Sequence, residues 1–131
     1  MNSFIKRIFA LFGTKKQQNE MPSIPPREEM IDFMYDKELG YGGGTVARVI
    51  YSGDKTKRFV IVKDSKGYFK YFYEEIHFCT DEEWVYSSID ENSYTATWEA
   101  VNVSNGASFF GTEEEAYRAV TSETAYKDFF L

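Results

Sequence analysis

The sequence predicts an α+β fold. The expected parts are an N-terminal helix pair, an antiparallel β-meander of about five strands, and a C-terminal helix packed on one face. Three observations carry this. Apolar residues recur at helical spacing as far as Leu39, then switch to a period of two from Thr45. The strand-like runs are separated by turns of only a few residues, the length of antiparallel hairpins. A helix-start signal, Thr112 with Glu115, follows the last run. The chain has 131 residues, 43% hydrophobic and 18% aromatic, so it is rich enough in apolar side chains to fold around a core.

The expected elements run as follows. Met1–Phe12 reads as an amphipathic helix, with Phe4, Ile5, Ile8, Phe9, Leu11 and Phe12 on one face and Lys6 and Arg7 opposite. The polar, proline-bearing stretch after it reads as a linker, so residues 1–25 stand apart from a single α+β domain over 26–131. Pro26–Leu39 reads as the second helix, with proline in the first turn, Glu28 and Glu29 at the positive end of the dipole, and Gly40 as the stop. Strands follow at Thr45–Tyr51, Arg58–Lys63, Tyr68–Phe78 and Tyr94–Val103, with shorter ones at Trp84–Ile89 and Ser108–Phe110. Thr112 opens the C-terminal helix, whose Ala116, Tyr117 and Val120 face the sheet. Phe129, Phe130 and Leu131 either dock or form a sticky terminus.

Charge narrows the function classes. The net charge is −6, but it is unevenly spread. Residues 1–70 carry 13 Lys/Arg against 8 Asp/Glu, a balance of +5; residues 71–131 carry 2 against 13, a balance of −11. The second half therefore repels phosphate and attracts a basic protein surface. That makes nucleic acid an unfavoured partner, although Lys55, Lys57, Arg58, Lys63, Lys66 and Lys70 form a weak basic group near aromatic residues. No apolar run approaches the length of a membrane span. Ile8–Phe12 is too short for the apolar core of a signal peptide, and no cleavage motif follows it, so a cytoplasmic location is expected.

No constellation of side chains supports an enzyme, and no cofactor is implied. Glu75, His77 and Cys79 alternate along one strand and share a face, but their side chains run parallel rather than converge. The chain has one His and one Cys, which excludes a His-rich metal centre, so no metal is expected. Gly40–Thr45 has the composition of a phosphate loop but lies between a helix and a strand, without the terminal Lys, and reads as a hinge.

The remaining signal is aromatic residues interleaved with acids: Tyr71, Tyr73, Glu74, Glu75, Asp81, Glu82, Glu83, Trp84 and Tyr86. Rings ringed by charge are typical interface anchors, so these residues are the candidate partner-binding set. In composition, though over no defined motif, this profile resembles small bacterial inhibitor or immunity proteins. The resemblance implies a basic protein partner. Two alternatives stand beside it: a ligand-binding or enzymatic pocket near His77, and a peripheral membrane anchor formed by residues 1–16.

Overall fold

The computed structural model describes residues 24–83, 96–105 and 108–131. It shows an α+β fold with one four-stranded antiparallel sheet in the order β1-β2-β3-β4. In chain order the elements are α1 (Arg27–Met34), β1 (Thr45–Tyr51), β2 (Lys57–Lys63), β3 (Phe69–Phe78), β4 (Ala96–Val101), α2 (Glu113–Ser122) and α3 (Thr124–Phe129). The chain divides into two units, Met1–Tyr35 with His77–Thr97, and Asp36–Ile76 with Trp98–Leu131.

In the second unit, two tight turns set the strand register. At the β1–β2 turn the Asp54 carboxylate accepts from Ser52 Oγ (2.9 Å), Thr56 N (3.0 Å) and Thr56 Oγ1 (2.8 Å). The hydrogen bonds from Thr56, backbone first, hold the Asp54 carboxyl below its usual range. At the β2–β3 turn Asp64 Oδ1 accepts from Lys66 N and Tyr68 N, and Gly67 takes the left-handed φ of 90° that favours glycine. Gly44 is fixed for a different reason, because a Cβ there would lie 2.5 Å from Val62 Cγ1.

The pleat then sorts β2 and β3 into two faces. The odd face is the core. Phe59 and Ile61 of β2 and Tyr71 and Tyr73 of β3 form one buried cluster with Ala116 and Val120 of α2. Phe130 docks beside them, its ring 5.1 Å from Phe59, whereas Leu131 is exposed. A bulge at Ala47 changes the alternation of β1. It puts Val46, Val49 and Tyr51 on the second face and Arg48 on the core face, where Arg48 meets Glu113 (2.6 Å) and lies over the Tyr117 ring.

The α2–α3 break has a physical role. Glu123 is extended (φ −71°, ψ 144°), and its buried carboxylate accepts from the Tyr71 hydroxyl, Ser104 Oγ (2.8 Å), Ser104 N (3.3 Å) and Asn105 N (3.2 Å). Burial opposes the charge, but the hydrogen bonds outweigh it and hold the carboxyl below its usual range. A depressed folded-state pKa stabilises above the unfolded value and is lost as pH falls through the folded one. Urea melts between about pH 6 and pH 3 are expected to show falling stability, with a shallower decline in Glu123→Gln. An equal slope in the variant would contradict this assignment.

Several expectations need correction. The described residues form four strands rather than about five. Ser108–Phe110 contributes a single antiparallel bridge, Phe110 to Phe69, instead of a strand. Trp84–Ile89 and the Met1–Phe12 helix lie outside the described residues. The second helix stops at Met34 instead of reaching Leu39, because Asp36 and Glu38 turn left-handed (φ 59° and 58°) and the carbonyls of Lys37 and Glu38 go to Arg58. The capping box is half formed. Glu115 N donates to Thr112 Oγ1 (3.1 Å), but the Glu115 carboxylate accepts from the Thr112 hydroxyl rather than its backbone.

Candidate functional site

The nine candidate partner-binding residues separate. Tyr71 and Tyr73 are 1% and 3% exposed and belong to the core cluster, so they are not outward anchors. Their hydroxyls are committed to Glu123 and to Glu75 (2.6 Å). Burial first, and then those carboxylates, push both phenols above their usual range. Glu74 is also buried, on the second face. Glu75 is half-buried against Tyr73. Asp81, Glu82 and Glu83 are exposed, while Trp84 and Tyr86 lie outside the described residues. The odd/even split of β3 showed that one face had to be core. It did not show that the tyrosine face was the one α2 would meet.

The fate of Glu74 exposes the feature that sequence reasoning missed. Arg58 is fully buried, and cross-strand pairing lines it up with Tyr51 on one side and Glu74 on the other. Its Nε donates to Glu74 Oε1 (2.7 Å), and its remaining nitrogens reach Lys37 O (2.8 Å), Glu38 O (3.0 Å) and Tyr51 Oη (3.5 Å). The Trp98 ring lies 4.1 Å from the guanidinium carbon. Tyr41 donates to the other Glu74 oxygen (2.8 Å), and burial followed by that carboxylate pushes the Tyr41 phenol up. Trp98 N donates to Glu38 Oε1 (2.7 Å). This network pins residues 36–41 to the sheet. Its donors and acceptors are mutually satisfied, and it holds the sheet and the 36–41 segment together as a structural hub.

Glu75, His77 and Cys79 do not assemble. Glu75 serves Tyr73, the Cys79 thiol donates to Thr80 O (3.3 Å), and His77 Nε2 donates to Glu83 Oε1 (3.0 Å). Glu83 also accepts from Thr80 N (2.9 Å). That backbone bond and His77 hold its carboxyl below the usual range. Among the described residues no three His, Cys, Asp or Glu side chains are placed to hold a metal. Two clefts, of about 490 and 480 Å³, open on the second unit, and His77 lines neither.

The first unit concentrates negative charge. Its described residues carry one cation, Arg27, against Glu28, Glu29, Asp32, Asp81, Glu82 and Glu83. Arg27 lies over the Phe78 ring, 4.0 Å from its centre, which joins the first turn of α1 to the end of β3. Met30 and Met34 are buried, so the helix turns Glu28, Asp32 and then Tyr35 outward at i, i+4 and i+7. Among the described residues of this unit, five carboxylates and one aromatic ring are exposed. Lys6, Arg7, Lys15 and Lys16 fall outside the described residues, as does the proposed membrane anchor over 1–16. No described helix is long and apolar enough to cross a membrane. Comparison with protein-family models, curated proteins and solved structures finds no match to the chain.

Proposed function

We propose that the chain is a protein-binding module whose acidic first unit engages a basic partner, in the manner of an inhibitor or immunity protein. The observation that carries this is the exposure of Glu28, Asp32, Tyr35, Asp81, Glu82 and Glu83 in one unit whose described cation is stacked on its own Phe78. The partner-binding set is therefore revised. Asp81, Glu82 and Glu83 stay, Glu28, Asp32 and Tyr35 join, and the buried Tyr71, Tyr73 and Glu74 leave. In this reading α2 and α3 cover the odd face of the sheet and act as scaffold, which the shared cluster with Phe59 and Tyr71 supports.

Exposed carboxylates contribute more to encounter rate than to final affinity. Affinity capture at low salt, followed by association kinetics with the captured protein, tests the reading. A basic partner is expected, with an association rate that drops at least about tenfold between low and high salt. Neutralising Glu28, Asp32, Asp81, Glu82 and Glu83 to their amides is expected to reproduce that drop at low salt. A partner whose association ignores both salt and these five substitutions would overturn the proposal.

A further inference from the structure

The second unit carries a different surface. Tyr68, Lys70 and Phe72 fall on one face at the start of β3, beside the β2–β3 turn. The two clefts open on either side and share Lys70 and Phe72. One is walled by the 40–44 loop, Val62 and Asp64, the other by residues 100–104. The Lys70 ammonium lies 4.9 Å from the Phe72 ring centre and 5.4 Å from that of Phe109. Tyr68 and Phe109 are 52% and 58% exposed, which leaves both rings open to solvent.

We propose that this surface binds a nucleotide unit, a flat base joined to a phosphate, either free or within a single-stranded nucleic acid. This goes beyond the acidic-unit reading, because it uses the other unit and the opposite charge. Exposed rings supply stacking platforms, and lysines beside them meet phosphate. Lys70 lines both clefts, and neither it nor Lys66 of the adjoining turn forms an ion pair with a carboxylate of the described residues. The acid of the turn, Asp64, already accepts from Lys66 N and Tyr68 N. At Gly42 a Cβ would meet nothing within 4 Å, so internal packing does not require glycine there and the backbone lies bare beside the cleft. Each cleft has the volume of a small-ligand site. Concavity favours a ligand that enters over a membrane, and exposed rings beside Lys70 favour a base over an acidic peptide.

Fluorescence anisotropy with the full chain and a short fluorescein-labelled oligothymidylate tests this. Binding is expected, and an abasic chain of equal length is expected to bind at least about fivefold more weakly. Phe109→Ala and Lys70→Gln are each expected to weaken binding by a similar factor, with a shallower salt dependence in Lys70→Gln. Adenosine monophosphate that competes as well as the oligonucleotide identifies a free nucleotide as the ligand, whereas a large advantage for the oligonucleotide identifies a single strand. Thermal melting confirms folding, and Phe109→Ala alone decides if Lys70→Gln melts lower. No binding of either probe, equal affinity for the abasic chain, full affinity in Phe109→Ala, or binding to anionic vesicles that nucleotide does not displace would overturn the proposal.

Discussion

Replacing Arg58 with alanine is expected to destabilise the fold by about 3–5 kcal/mol. The guanidinium is fully buried and serves Glu74, the carbonyls of Lys37 and Glu38, and the Tyr51 hydroxyl. Its loss strands the Glu74 carboxylate away from water and leaves two carbonyls without their donor. Arg58→Lys is not a conservative change here, because one ammonium cannot span acceptors on three sides. Glu74→Leu alone leaves the buried cation without its carboxylate and is expected to cost a comparable amount. The double variant Arg58→Met/Glu74→Leu removes both charges and is expected to recover much of the loss. Urea denaturation of the parent, Arg58→Met, Glu74→Leu and the double variant gives the coupling. Additive losses would show that the ion pair is not the source of the effect.

Phe59→Ala is expected to cost about 3–5 kcal/mol for a different reason, a cavity in the apolar face. Phe59 is fully buried and contacts four other rings, with centre distances of 5.9 Å to Tyr71, 4.8 Å to Tyr73, 6.3 Å to Tyr126 and 5.1 Å to Phe130. Its removal loses both transfer energy and edge or tilted ring contacts. Either loss is a large fraction of the ~5–15 kcal/mol that holds a typical domain together. Phe59→Leu keeps most of the volume and is expected to cost less than half as much. A Phe59→Ala protein that melts within a few degrees of the parent would show that this cluster is not the core.

Much of the fold was legible in the sequence. Alternation in Thr45–Tyr51, Lys57–Lys63 and Phe69–Phe78 located β1 to β3 to within a residue, because turn chemistry at Asp54 and at Asp64–Gly67 punctuates them. Thr112 marked the start of α2 for a local reason, since its hydroxyl accepts from a backbone N–H three residues on. Features that depend on distant residues were not legible. The end of α1 is set by Arg58, more than twenty positions away in sequence, which captures the Lys37 and Glu38 carbonyls. The bulge at Ala47 leaves no mark in the TVARVIY pattern. Interleaved rings and acids in Tyr71–Glu75 looked like a surface motif, yet α2 buries the tyrosines and Arg58 buries Glu74. Of the nine candidates, only Asp81, Glu82 and Glu83 are exposed among the described residues, and the outward stripe of α1 depended on knowing which side Met30 and Met34 face.

Hydrogen exchange of the full chain, alone and with its captured basic partner, tests the central functional claim most directly. Protection gained on binding is expected to concentrate in residues 28–35 and 81–83 and to fade as salt is raised. Protection confined to Lys63–Phe72 or to the exposed faces of α2 and α3, with the acidic unit exchanging as before, would contradict that claim.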